Sequence, residues 1–303
     1  MTHPHINEST MAVKGMQNSK LDNFISCLTF ENFRNPKPRI SILRLAGAIG
    51  KTGVGKGGMT LEGLNNSIEE AFDKSNLEAV ILAINSPGGS PVQSELIASR
   101  IMALSKEKNV PVYSFVEDVA ASGGYWLACA GKEIYASKSS IIGSIGVISA
   151  GFGFVDTIKK LGVERRVYTH GTNKSVLDPF VPEKKGDIDI LMKIQKHAHN
   201  HFIDHVKASR KGRLTQNDDI LFNGEFWSGI TAEDYGLIDG IDNMYNFIRK
   251  KFGEKAKIDY IKPKESWFKK RLMSQIDIDS ESIIDALYNK VQEDQVISKF
   301  RMY

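Results

Sequence analysis

Ser122 lies in the run Ala120-Ala121-Ser122-Gly123-Gly124, directly ahead of a short apolar helical pattern. Acyl transfer needs a nucleophile, a base to activate it and donors for the developing oxyanion. A serine at a helix N-terminus sits beside free backbone N–H groups and the positive end of the helix dipole. The two glycines permit a tight turn and let another backbone approach. The same serine would serve equally as an ordinary N-cap. A second motif, Asn85-Ser86-Pro87-Gly88-Gly89, closes an almost wholly apolar strand. Ligands of open α/β sheets bind off the carboxyl ends of strands, and Gly-Gly there presents N–H groups with no side chain in the way. P-G and G-G are also plain turn dipeptides.

Two further patterns compete. Gly50-Lys51-Thr52-Gly53-Val54-Gly55-Lys56-Gly57 fits G-x-x-x-x-G-K and would suit a nucleotide phosphate. However, Gly57 stands where Ser or Thr would hold Mg²⁺, and the next apolar strand ends in Asn85 rather than a metal-binding Asp. A loop beside a substrate groove is the better reading. His197, His201 and His205 recur at helical spacing and could share a metal-binding face. No H-E-x-x-H accompanies them, so a solvated helix face is expected, with no metal and no cofactor.

The elements that must position these residues alternate between strand and helix, which argues for an α/β layered core. RISILRLAGAI reads as a buried strand, and Thr60 opens an amphipathic helix. LEAVILAIN, a helix from about Pro91 to Lys106, and VPVYSFVE follow. KEIYAS, SIGVIS and GVERRVYTH read as further strands, Glu183 to Lys211 as a long helix, and Met244 to Lys251 as a closing helix. Residues 1–36 read as a tail or loosely docked arm, 37–252 as the catalytic domain, and 253–303 as a charged helical appendage.

Composition excludes little but sets a frame. The 303 residues are 25 % charged and 41 % hydrophobic, which suits a soluble globular chain. A net charge of +4 is too mild to argue for nucleic acid. No run reaches a membrane span, the N-terminus lacks a secretory pattern, and Cys27 and Cys129 are too few for a disulfide framework. A reducing, cytoplasmic location follows as the expectation, with peripheral attachment at the inner membrane compatible with it.

SPGG followed by AASGGYWLA resembles the signal peptide peptidase A family, also called protease IV, including its SohB-like members. The resemblance continues through Ile142-Gly143-Ser144-Ile145-Gly146-Val147 and through Gly171 to Phe180. It ends with Gly224-Glu225-Phe226-Trp227 and Gly236-Leu237-Ile238-Asp239. It implies a single copy of the ClpP/crotonase-type fold, stacked ββα units with a twisted sheet between helical layers. It places the nucleophile on Ser122 and the general base on Lys174. Ser144 would hydrogen-bond that lysine, and the N–H groups of Gly89 and Gly123 would form the oxyanion site.

An ordinary lysine, with a pKa near about 10.4, is protonated at neutral pH. Burial can lower that enough to make a base, so Lys174 is expected to be desolvated when peptide is bound. By resemblance the substrates are signal-peptide remnants or other apolar peptides. Long family members divide serine and lysine between two copies of the fold, and one copy here carries both. A ring-like homo-oligomer with shared sites is therefore expected. Two rivals keep the fold: a ClpP-like Ser/His peptidase, for which His170 is the nearest histidine, and crotonase-like acyl-CoA chemistry.

Overall fold

The computed structural model describes residues 37–52 and 56–261, so the N-terminal arm, Cys27 and most of the C-terminal appendage lie outside the described residues. The strands are β1 (Arg39–Ala46), β2 (Lys51–Thr52), β3 (Lys56–Gly57), β4 (Leu77–Ser86), β5 (Val112–Ala121), β6 (Glu133–Ala136), β7 (Ile141–Gly143), β8 (Phe226–Ser228), β9 (Gly240–Ile241) and β10 (Lys257–Ile261). The helices are α1 (Leu61–Phe72), α2 (Pro91–Lys108), α3 (Gly123–Ala128), α4 (Val155–Lys160), α5 (Lys185–Ser209), α6 (Asp218–Leu221), α7 (Gly229–Asp234) and α8 (Met244–Phe252).

The main sheet runs β10-β1-β4-β5-β6-β9, and these pairs are all parallel. A parallel sheet needs cover on both faces, and the period-two alternation of its strands supplies it. Val80, Leu82 and Ile84 of β4 join Leu43 and Leu45 of β1 in the larger core, with Ile68 of α1 and Ile97 and Ile101 of α2. Ala79, Ile81 and Ala83 turn to the opposite face. There they meet Ile40, Ile42, Tyr113 and Phe115, closed over by Phe247 and Ile248 of α8. The result is a sheet between helical layers.

Local signals account for the helix ends. Thr60 caps α1 by accepting from Gly63 N–H, and Ser90 accepts from Gln93 N–H with Pro91 opening α2. Asn109, in the left-handed region, ends α2.

Three expectations need correction. SIGVIS is not a strand: pairing stops at Gly143, and residues 144–150 have no regular structure. GVERRVYTH is likewise irregular. Both segments have strand-like composition but no partner strand among the described residues, and β-propensity is expressed only against a neighbour. Residues 257–261, expected to be helical, form β10, which pairs with β1 in register Ile40↔Ile258 and Ile42↔Tyr260. Five residues are too few for periodicity to separate strand from helix.

From Gly146 to His201 no residue is buried. This arm carries α4, the loop around Lys174 and about the first two-thirds of α5. Its own contacts are a small cluster in which Phe154 stacks on Phe180 and Arg165 lies over the Phe180 ring while pairing with Asp178.

Candidate active site

The motifs singled out by sequence converge because they follow neighbouring strand ends. Gly88 and Gly89 follow β4, Ser122 follows β5, and Ser144 follows β7. The end of β5 pairs with β7 through Ala121↔Gly143, while Ala120 pairs with Ser86 of β4. The site thus lies off the carboxyl edge of a parallel sheet, where a crevice is expected.

Ser122 occupies the cap position of α3 without capping it. Its backbone is at φ 53° and ψ −122°, and its side chain makes no capping bond. A positive φ is unfavourable for a residue with a Cβ, and such strain is retained where the surroundings over-determine it. Here they do: Ser122 N–H donates to Gly143 O at 2.8 Å, and Ser122 O accepts from Tyr125 N–H at 2.9 Å. The ordinary N-cap role is thereby excluded, and the hydroxyl is left to the cleft.

Backbone contact between the two turns explains their glycines. A β-carbon on Gly124 would stand 2.3 Å from Ser86 O, and one on Gly123 would stand 2.4 Å from Ser94 Oγ. On the other turn, a β-carbon on Gly89 would stand 2.1 Å from Ile49 O. Ile49 N–H donates to Gly88 O and Ile49 O accepts from Ser90 N–H, each at 2.8 Å. In that parallel bridge the N–H of Gly89 itself points away from Ile49. Gly123, the first residue of α3, likewise has an N–H with no intrahelical acceptor.

Ser122, Ser144 and Gly89 line one cleft of about 1030 Å³, together with Val147, Ile148 and residues of α5. Ser144 is also at φ 53°, and its N–H donates to Glu225 O at 2.7 Å. The GEFW motif matters here because Trp227 packs over Gly143, where a β-carbon would be 2.7 Å from its ring. Behind α3, Tyr125 Oη donates to Leu237 O at 2.7 Å. Arg210, almost fully buried, meets Asp239 at 2.6 Å. This ties the GLID motif to the serine's helix.

Sequence reasoning missed His199. It lines the cleft, and its Nε2 donates to Ile145 O at 3.1 Å, since a carbonyl only accepts. The signal was available as a helical histidine, but the i, i+4, i+8 series drew attention to the other face. On that face His205 stacks on Trp126 and bonds its carbonyl, while His201 packs edge-on to the same ring.

Lys174 is not brought to Ser122 within this chain. It lies in the exposed turn Thr172–Leu177 of the arm and is not among the cleft residues. His170 is exposed on the same arm. Of the Gly50–Gly57 segment, residues 53–55 lie outside the described residues; β2 and β3 on either side of them pair antiparallel, and Gly50 N–H donates to Met59 O at 2.8 Å. Cys129, buried behind α3, is held as a thiol, its pKa pushed up to about 12 chiefly by desolvation. Among the described residues no helix is long and apolar enough to cross a membrane.

Comparison with known proteins gives this geometry its context. The chain is 48 % identical over 264 residues to a Brucella melitensis protein named Na(+)/H(+) antiporter NhaA, covering 87 % of this chain and 36 % of that one. It is 30 % identical over 219 residues to the chloroplastic serine protease SPPA of Arabidopsis thaliana, covering 69 % and 31 %. It is 33 % identical over 171 residues to the probable protease SohB of Buchnera aphidicola, covering 56 % and 55 %. The chain thus spans about a third of the first two relatives and just over half of the third. Peptidase family S49 matches residues 104–258, which hold Ser122, Ser144 and the whole arm. The match begins after the Gly88-Gly89 turn and takes in the turn that carries Ser122. On this match over half its length, the chain belongs to peptidase family S49.

Proposed function

We propose that this chain is a serine endopeptidase working through an acyl-enzyme, with Ser122 as nucleophile and Lys174 as general base. The observation that carries the reading is Ser122 itself, uncapped, held at a left-handed backbone angle and facing a cleft. Neutral Lys174 Nζ takes the Ser122 proton as Oγ attacks the substrate carbonyl. The oxyanion is held by the N–H groups of Gly89 and Gly123. The lysine then returns the proton to the leaving amine, and water, deprotonated by the same lysine, releases the acyl group. Ser144 orients the lysine. No cofactor enters these steps.

Lys174 would reach Ser122 of a neighbouring copy in a ring-like homo-oligomer. Support comes from the arm: 56 successive residues without a buried one, carrying exposed Phe152, Leu161 and Tyr168. Apolar side chains gathered in this way mark an interaction surface. Closure of such head-to-tail contacts gives a ring, and docking would strip water from Lys174, the condition for a lysine base. Substrates would be signal-peptide remnants or other apolar peptides, met in the cytoplasm or at the inner membrane surface. The antiporter name of one relative does not transfer, since the matched third of that protein aligns with a chain of peptidase fold.

The test is complementation. Ser122→Ala and Lys174→Ala, each inactive alone toward a fluorogenic peptide, are co-refolded into mixed oligomers. Activity returns if sites are shared, and fluorophosphonate labels only chains with Ser122. Inactivity of verified mixed rings would assign each site to one subunit. Labelling independent of Ser122 would remove the nucleophile. Retained hydrolysis in Lys174→Ala with loss in His170→Ala would favour the Ser/His reading.

A further inference from the structure

The cleft has an electrostatic asymmetry that the acyl chemistry does not require. Helix α5 turns Met192, Lys193, Lys196 and His199 toward it, and no Asp or Glu is among the lining residues. Other basic side chains of the same helix have carboxylate neighbours: His201 lies 3.8 Å from Glu95, and Lys207 pairs with Asp218. Lys193 and Lys196 meet no carboxylate among the described residues. Asp189, one turn before Lys193, and Glu225, next to the lining residue Gly224, do not line the cleft. Glu225 is adjacent, but its carboxylate accepts from Asn223 Nδ2 at 3.5 Å. The stripe is fixed in place because His199 Nε2 donates to Ile145 O, next to Ser144. The lining contributed by α5 is therefore basic, while that contributed by Val147 and Ile148 is apolar.

We infer that the cleft selects peptides presenting a carboxylate to Lys193 and Lys196 beside the bond attacked at Ser122, with an apolar residue facing Val147 and Ile148. The inference rests on the peptidase reading and narrows its substrate class. A purely apolar peptide would leave two ammonium groups facing it with no partner, whereas a carboxylate completes charge-assisted hydrogen bonds. An acidic side chain and a free C-terminus offer the same chemistry. Position separates them, because a C-terminal carboxylate acts only near the end of the peptide.

The experiment uses internally quenched peptides of about ten residues that differ only in Asp or Asn at one position. Each is made with a free and with an amidated C-terminus. At low salt, kcat/KM for the best-placed Asp peptide should exceed that of its Asn twin about fivefold, the scale of two exposed ion pairs. The ratio should shrink in 0.5 M salt and fall below one in Lys193→Glu/Lys196→Glu. An effect of amidation alone would assign the carboxylate to the C-terminus. Equal rates for every Asp and Asn pair, with hydrolysis still dependent on Ser122, would overturn the inference and leave the peptidase reading intact. If no peptide is cleaved, the peptidase reading suffers instead. Anisotropy titration of the same labelled peptides on Ser122→Ala then decides: tighter binding of the Asp series supports the carboxylate site, and equal or absent binding ends it.

Discussion

Gly88 lies directly against Ser122: a β-carbon built on Gly88 would stand 2.8 Å from Ser122 Cβ and 2.8 Å from Gly123 N. The turn after β4 thus serves as a template for the turn after β5. Gly88 also sits at φ 101°, where a side chain is strained whatever the space. Gly88→Ala should cost about 2–3 kcal/mol of stability, as backbone strain and overpacking add. It should also lower kcat/KM more than 100-fold by displacing the hydroxyl, about 3 kcal/mol of transition-state stabilisation. Circular dichroism melts and fluorogenic assays on the folded variant check the two effects separately.

Ser122 itself should trade stability for chemistry. Its positive φ is tolerated more easily by glycine. Ser122→Gly should therefore raise stability by about 1 kcal/mol, read as an increase in Tm of about 2–4 °C, while abolishing fluorophosphonate labelling. A lower Tm than wild type would mean that the serine side chain, not strain, dominates the local energy.

Lys174→Arg should be as inactive as Lys174→Ala, because guanidinium stays protonated and cannot act as a base. Wild-type activity should rise with pH into the alkaline range, since the neutral amine is the working form. Ser144→Ala should reduce kcat by less than either change, because it loses one positioning hydrogen bond, worth about 1–2 kcal/mol. Steady-state kinetics from neutral to alkaline pH test all three.

His205 should make the docking of α5 on α3 acid-sensitive. Burial against Trp126 pushes its pKa below the ordinary histidine value and His201 pushes the same way, while the bond to Trp126 O and the charge of Glu95 oppose them. The folded state therefore resists a proton that the unfolded chain accepts below about pH 6.5. This contribution is fully present above that value and is lost as pH falls toward the folded pKa. Replacing His205 with Gln keeps a donor for the carbonyl and removes the titration. The wild-type Tm should drop more steeply between pH 7 and pH 5 than that of His205→Gln.

Much of this protein was legible from local pattern. The strand and helix order from Leu61 to Ala136, with the long helix α5 and the closing helix α8, follows from alternation, caps and breakers, all encoded within a few residues of where they act. Ser122 and Gly89 were legible for the same reason: a strand end, a Gly-Gly pair and a helix start are each local. Contact between elements was not. Only the tertiary structure sets Gly88 against Ser122, puts Ser122 and Ser144 both at φ 53°, and turns His199 inward while His205 packs on Trp126. Those outcomes depend on how β4, β5 and β7 are ordered in the sheet, and a single sequence without pairings does not specify that order. The strand-like runs at 144–149 and 162–170 fail for the complementary reason. A strand is stabilised by the neighbour it bonds to, and among the described residues the arm that carries Lys174 has none.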